Sequence, residues 1–176
     1  MAFLGWEWTQ IGRTPGYHLG HRNVVLKHLY EDDIPARPIQ ASPTRATDLL
    51  ETLNFAARTA MALAFIGNRR IQDFARYTFE QTLYRPCPDN VHVRDLPSNC
   101  RERAADPATL LRKLREWNHD ALVIPHGNSW GIYTPPGSSW DRQLNREQHD
   151  PLLQTMIEVY SGHGNIEEYR DWRAVV

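Results

Sequence analysis

The sequence has very little cysteine, no long apolar run and almost no net charge. Its 176 residues include two cysteines, and the formal net charge is -1. Such a balance of charges attracts neither nucleic acid nor an anionic membrane. The longest apolar run, Met61 to Ile66, is far shorter than the roughly 20 residues of a membrane span. The N-terminus lacks the basic region and cleavage pattern of a signal peptide, so we expect no nucleic-acid or membrane partner, and the localisation stays unknown.

Motifs for several other chemistries are also missing. Cys87 and Cys100 have neither C-x-x-C spacing nor flanking histidines, which argues against a zinc knuckle. Two cysteines cannot form a dense disulfide framework, and whether they form one disulfide is left open. No G-x-S-x-G occurs, so a serine hydrolase is not indicated. The segment PPGSSW has hydroxyls but no clear following helix, so it is not a phosphate-binding loop.

The pattern that is present predicts strands separated by helices. Ala2 to Ile11 and His21 to Leu29 are rich in strand-forming residues and predict two strands that pair as neighbours. The run ALVIP at 121–125 follows a helix and is typical of a buried parallel strand. TMIEVY at 155–160 predicts another short strand. We therefore expect a single α/β domain with short strands and long loops.

Helical spacing of apolar residues predicts three main helices. They cover Thr44 to about Gly67, Arg69 to Tyr84, and Pro107 to about Asn118. Thr47 and Asp106 are the expected N-caps, and Pro107 suits the first helical position. The tail from Ile166 is expected to begin as a helix, whereas the proline-rich stretch from Arg85 to Asp106 predicts a long loop.

The candidate chemistry lies in one glutamate and a minority of the eight histidines. Glu7 lies between two tryptophans of a strand, where an unpaired carboxylate would be costly to bury. His21 opens the second strand, and His126 and His163 each follow a strand-like run next to a glycine. A carboxylate with several imidazoles is typical of zinc, manganese and iron hydrolase sites.

Structural roles remain open beside this interpretation. Position alone does not separate a metal ligand from a structural residue for Glu7 and His126. Glu158 could be a ligand, an orienter of a histidine, or the partner of an arginine. Both HGN segments could be simple turns. We interpret five histidines as surface or core residues: His18, His28, His92, His119 and His149.

Four long segments resemble one bacterial family, domain of unknown function 3604, which is related to the polymerase and histidinol phosphatase (PHP) superfamily. The segments are FLGWEWTQ, GHRNVVL, DALVIPHGNSWGIYTPPGSSWDRQL and HDPLLQTMIEVYSGHGNIEEYRDW. The resemblance implies a distorted βα-barrel with metal ions at the C-terminal ends of its strands. It also implies hydrolysis, by analogy of a phosphoester, of a small-molecule substrate that stays unknown.

The resemblance also implies roles for individual residues. Glu7 matches the glutamate of W-E-W-T, His21 the histidine of H-R-N-V, and His126 the histidine of I-P-H, which makes these three the expected metal ligands. Glu158 and His163 match E-V-Y-S-G-H-G-N and are expected to ligate, to orient or to shuttle a proton. The expected cofactor is a divalent metal, namely zinc, manganese or iron.

The chain departs from the family pattern at both ends. Nothing in it matches the early H-x-H strand and Asp-His pair of the relatives, or the Asp-x-His near the end of PHP-type domains. We therefore expect residues 1–176 to form one incomplete PHP-like domain, with weak or no catalysis alone. The alternative is a non-catalytic binding or scaffold module that completes its sheet with a partner, either a second copy or a complementing chain.

Overall fold

The computed structural model describes residues 2–42, 53–64, 67–127, 130–131, 133–140 and 145–164. Within these ranges, short strands form small sheets beside a few helices, a mixed arrangement that is compatible with the predicted α/β class. The strands are β1 (Leu4–Gln10), β2 (Gly20–Leu26), β3 (Gln40–Ala41), β4 (Arg85–Pro86), β5 (Cys100–Arg101), β6 (Arg103–Ala104) and β7 (Ala121–His126). The helices are α1 (Phe55–Ala64), α2 (Arg69–Thr82) and α3 (Pro107–Trp117), with 3-10 turns at Glu31–Asp33 and Val93–Asp95.

The largest sheet has the order β1-β2-β7, and both of its strand pairs are antiparallel. The expected pairing of the first two strands is confirmed. The prediction that 121–125 is a parallel strand was wrong for its pairing with β2, because a short apolar run reveals burial but not strand direction. The described strands close no barrel, since β3-β6 and β4-β5 are separate two-stranded ladders.

Residue alternation gives this sheet one apolar face. Trp8, Val24 and Val123 point to the same side of the three strands and are fully or almost fully buried. The Trp8 indole donates a hydrogen bond to the Ala104 carbonyl at 3.3 Å, which satisfies its polar atom inside the core. Arg22 also lies on this face, with its guanidinium over the Trp8 ring. The opposite face carries the alternate residues, which include Glu7, His21 and His126.

Helix α3 covers the core and begins and ends where the sequence predicts. The Asp106 side chain accepts a hydrogen bond from the Thr109 backbone N–H at 2.7 Å, and Pro107 occupies the first turn. Asn118 ends the helix in the left-handed conformation, with φ of 55°. The helix buries Leu110, Leu111, Leu114 and Trp117. None of the helices in the described ranges is long and apolar enough to cross a membrane.

Helix α1 confirms the first predicted helical region only from Phe55, because Leu53 and Asn54 are described and are not helical. Helix α2 confirms the second predicted region to within two residues of its expected end. The Asn68 side chain accepts a hydrogen bond from the Ile71 backbone N–H, so it caps the start of α2. Gly67 before it has a positive φ of 101°, as expected for a residue that ends a helix. The predicted cap Thr47 and the predicted helical tail from Ile166 lie outside the described residues.

The segment 155–160 forms no strand among the described residues, so the prediction of a short strand there was wrong. Two backbone hydrogen bonds connect the chain to β7 here, from Val123 N–H to the carbonyl of Leu153, just before the segment, at 2.7 Å and from Glu158 N–H to the Pro125 carbonyl at 3.2 Å. Leu153 and Glu158 are five positions apart, whereas Val123 and Pro125 are two positions apart. This mismatch prevents regular pairing but still carries the chain past the end of β7.

The proline-rich stretch 85–106, which the sequence predicts as a long loop, is cross-linked and contains short strands. Cys87 and Cys100 form a disulfide, the outcome that the sequence left open. Strands β4 and β5 pair beside it, and Arg37 donates hydrogen bonds to the carbonyls of Pro97 and Cys100 at 2.5 and 3.1 Å. The disulfide and the short ladder therefore join the two ends of this stretch to each other, and Arg37 bonds the stretch to an earlier part of the chain.

Candidate metal centre

The polar face of the β1-β2-β7 sheet places four side chains in a compact pattern. Thr9 lies directly opposite His21 on β2, and His21 lies directly opposite His126 on β7. Glu7 precedes Thr9 by two residues, so it projects from the same face of β1. Since directly opposed residues have Cβ atoms about 5 Å apart, this register alone brings two imidazoles and a carboxylate together.

A loop adds the third imidazole. His163 lies in the segment SGHG, where Ser161 organises a turn: its hydroxyl accepts from the His163 N–H at 3.2 Å, and its own N–H donates to the Gly164 carbonyl at 2.8 Å. Gly164 pairs with Gly131 in an isolated antiparallel bridge. A Cβ on Gly131 would lie 1.9 Å from the His163 carbonyl oxygen, so this approach requires glycine.

The potential ligand atoms lie close to one another. One atom each from Glu7, His21, His126 and His163 falls within 4.8 Å of the others. Glu7 Oε1 is 2.9 Å from His21 Nδ1 and 3.8 Å from His126 Nε2. The ring centroids of His163 lie 5.0 Å from His21 and 5.2 Å from His126. We call these residues the four-residue cluster. Glu7, His21 and His126 lie on the three strands of the sheet, and His163 lies in a loop distant in sequence.

Burial differs across the cluster. The side chains of His21 and His126 are 5% and 2% exposed, whereas that of Glu7 is 38% exposed. His163 is half-buried. The imidazoles on β2 and β7 therefore form the protected floor of the site, and solvent reaches it from the side of Glu7.

Electrostatics favour the deprotonated forms of two cluster members. Burial by itself raises the pKa of Glu7, but hydrogen bonds from Thr9 and His21 and the nearby imidazoles together bring it below its usual value. Burial lowers the pKa of His21, and the Glu7 carboxylate offsets only part of that effect. At neutral pH the pair is an anionic carboxylate and a neutral imidazole. Metal binding requires both of these forms.

The donor set fits a divalent transition metal. Zinc is held at about 2.0–2.2 Å by histidine nitrogens and carboxylate oxygens, often three protein ligands with an open position for water or substrate. Imidazoles with a carboxylate also suit iron and manganese. A cluster spanning 4.8 Å needs only small side-chain adjustments to surround one ion of this kind. Glu7, His21, His126 and His163 would hold it.

The predicted residues thus divide into two groups. The three expected ligands, Glu7, His21 and His126, are brought together by the structure, and His163 joins them as a fourth potential ligand. Glu158 is half-buried and its carboxylate lies outside the cluster, although its backbone bonds to Pro125, the neighbour of His126. The expected catalytic role of Glu158 therefore stays a prediction.

Two further residues near the cluster were not singled out from the sequence. The Thr9 hydroxyl contacts both Glu7 and His21. Its position two residues after Glu7 in a strand was the available signal, because such residues share a face. The Tyr133 ring centroid lies 6.3 Å from that of His21, and the residue is 55% exposed. Nothing in its sequence position indicated this.

His18 confirms its interpretation as a core histidine but lies near the site. It is fully buried, and its Nε2 is 3.4 Å from the Gly127 carbonyl oxygen. The Thr134 hydroxyl donates to the same carbonyl at 3.0 Å. Burial lowers the pKa of His18, an effect that the contact with Gly127 partly offsets. His18 and Thr134 therefore both contact the carbonyl group of Gly127, the residue directly after His126.

Comparisons of the chain with protein-family models, with curated proteins and with solved structures gave no match. The function has to be argued from the geometry and chemistry of the four-residue cluster, with the family resemblance as an expectation beside it.

Proposed function

We propose that this protein is a metal-dependent hydrolase of the phosphoesterase type. The observation that carries the proposal is the convergence of Glu7, His21, His126 and His163, which are far apart along the chain, within 4.8 Å. A divalent ion at such a site activates water at neutral pH and stabilises negative charge that develops on the substrate. The phosphoester class rests on the family resemblance alone.

The residues of the chain have separable tasks in this proposal. His21 and His126, both buried, provide neutral nitrogen donors whose orientation is fixed by the sheet. Glu7 supplies the negative charge that offsets a cation. His163 completes the donor set from a loop, so its position depends on the Gly131–Gly164 contact rather than on a strand.

Substrate would approach from the solvent-facing side of the cluster. The exposed part of Glu7 and the half-exposed Tyr133 ring border that side, whereas the sheet closes the other. Glu158 is the candidate for orienting a group or transferring a proton. It is supported by its place beside the end of β7, next to the strand that carries His126.

Metal analysis of the purified chain tests the site. We expect the wild-type chain to bind zinc or manganese with a defined stoichiometry after chelator treatment and reloading, measured by elemental mass spectrometry. Glu7→Ala and His126→Ala should weaken binding by more than the roughly 10–100-fold that loss of an outer-shell partner costs. His149→Ala is the matched control, because His149 is exposed and outside the cluster.

The result that contradicts the site is a wild-type chain that takes up no metal, or variants that bind as well as wild type. Hydrolysis is tested separately with a chromogenic phosphomonoester and a chromogenic phosphodiester, each with zinc and with manganese. Because we expect at most weak catalysis from this chain alone, each rate is compared with that of the chelator-treated chain. Metal-dependent hydrolysis above this control supports the phosphoesterase assignment, whereas its absence leaves a metal-binding protein with no support for that assignment.

A further inference from the structure

We infer that Thr9 is a positioning residue of the metal centre, holding Glu7 and His21 in the orientation that binds the ion. The inference rests on the proposed function. It concerns a residue that supplies no ligand atom to the four-residue cluster. Its basis is a triangle of short contacts between the Thr9 hydroxyl, the Glu7 carboxylate and the His21 ring.

The contacts are short and mutually consistent. The Thr9 hydroxyl donates to Glu7 Oε1 at 2.7 Å and lies 3.0 Å from His21 Nδ1. His21 Nδ1 is itself 2.9 Å from the same carboxylate oxygen. A hydroxyl has one proton to donate and two lone pairs that accept. It therefore donates to the carboxylate while still offering a lone pair toward the imidazole.

The backbone fixes where this hydroxyl is. Thr9 is opposite His21 in the β1–β2 ladder and two residues from Glu7 on the same strand face. Threonine is β-branched, so its χ1 angle is restricted and its hydroxyl takes fewer positions than the hydroxyl of serine. Position and rotamer together direct the hydroxyl at the Glu7 carboxylate, which limits the orientations that this potential ligand can take.

Glu7 needs this help more than the other cluster members do. His21 and His126 are held by burial, but the Glu7 side chain is 38% exposed. A glutamate with that much freedom loses side-chain entropy when it is fixed. A hydrogen bond that exists before the metal arrives reduces what metal binding has to supply.

Zinc affinity separates this role from a merely structural one. The variants are Thr9→Val, which keeps the shape and the strand preference but removes the hydroxyl, and Thr9→Ser, which restores it. Thr109→Val makes the same exchange in helix α3, at a side chain that is not in the cluster. Affinity is measured with zinc alone by competition against a chromophoric chelator. The urea midpoint of each metal-free chain is recorded alongside.

We expect Thr9→Val to bind zinc about 10–100-fold more weakly than wild type, the usual loss for an outer-shell partner. Thr9→Ser should lie closer to wild type than to Thr9→Val, and Thr109→Val should bind as wild type does. The urea midpoint of the metal-free Thr9→Val chain should change little, since valine suits a strand. If Thr9→Val does not fold, Thr9→Ala is compared with Thr9→Ser instead.

Three outcomes overturn the inference, and they are distinguishable. If Thr9→Val binds zinc as tightly as wild type, Thr9 has no positioning role and the proposed metal centre stands. If the wild-type chain itself binds no zinc, the metal centre fails and the role of Thr9 fails with it. A serine variant as weak as the valine variant would also contradict a role for the hydroxyl.

Discussion

Glu7 and His21 set the chemical character of the cluster. A carboxylate whose pKa is lowered and an imidazole whose pKa is lowered by burial stay in their metal-binding forms at neutral pH. The pair is therefore prepared for a cation rather than for a proton.

Gly127 is the residue whose replacement should disturb the cluster most directly without removing a ligand. Its φ of 58° is left-handed, which costs an L residue roughly 1–2 kcal/mol, and an added Cβ would lie 2.9 Å from His21 Cδ2. We expect Gly127→Ala to lower the free energy of unfolding by about that amount. We also expect it to weaken zinc binding, since the His21 ring must move. Urea unfolding and zinc titration measure the two effects.

Gly162→Ala is the control for that variant, because a Cβ at Gly162 meets no atom within 4 Å. It should leave zinc affinity unchanged. Equal zinc affinity for Gly127→Ala and wild type would show that His21 does not depend on this close contact.

The elements explain why so short a sheet can build a site. Three antiparallel strands give one apolar face, with Trp8, Val24 and Val123, and one polar face, with Thr9 and the imidazoles of β2 and β7. A slip of one residue in any strand would exchange the two faces. Burial of the apolar face therefore fixes the register of the strands. The same register places the cluster residues of the opposite face next to one another.

Removal of the disulfide tests what stabilises the stretch between α2 and α3. Cys87 and Cys100 are separated by 13 positions, and closing a loop of about that size is worth roughly 3 kcal/mol. We expect the double variant Cys87→Ser, Cys100→Ser to lose stability by an amount of that order, measured by urea unfolding. Its zinc affinity should be unchanged, because neither cysteine belongs to the cluster.

Treatment of the wild-type chain with a reductant is the companion measurement, and it should lower the urea midpoint to that of the double variant. If the reduced and oxidised chains unfold at the same urea concentration, then β4, β5 and the bonds of Arg37 hold the stretch without the disulfide.

At the scale of the whole molecule, buried histidines should make stability depend on pH. Burial lowers the pKa values of His18 and His21 from the ordinary value of 6.5. Between that value and the lower folded values the unfolded chain binds more protons, so stability rises with pH. We expect the two neutral histidines to make their full contribution to the free energy of unfolding of the metal-free chain above pH 6.5. That contribution is lost as the pH falls through the folded pKa values.

Urea unfolding in chelator between about pH 5 and pH 8 measures this dependence. Burial raises the pKa of Glu102, which acts in the opposite direction, so a variant is needed to isolate the imidazoles. His18→Gln should reduce the slope of stability against pH. An unchanged slope in that variant would show that His18 does not contribute.

The sequence alone determined the local features. The cap residues Asp106, Pro107 and Asn118 place the ends of α3, and alternation in β1 puts Glu7 on the face opposite the two tryptophans. The choice of residue types, a carboxylate with imidazoles, already indicated a metal site. These features could be predicted because capping and alternation act over a few residues.

Only the tertiary structure decided which of these residues meet. The antiparallel direction of β7 puts His126 opposite His21, the contact of Gly131 with Gly164 brings His163 into the cluster, and the pairing of Cys87 with Cys100 closes its own loop. The physical reason is range: periodicity along a chain encodes which face is buried, whereas strand direction and loop approach depend on packing between segments distant in sequence.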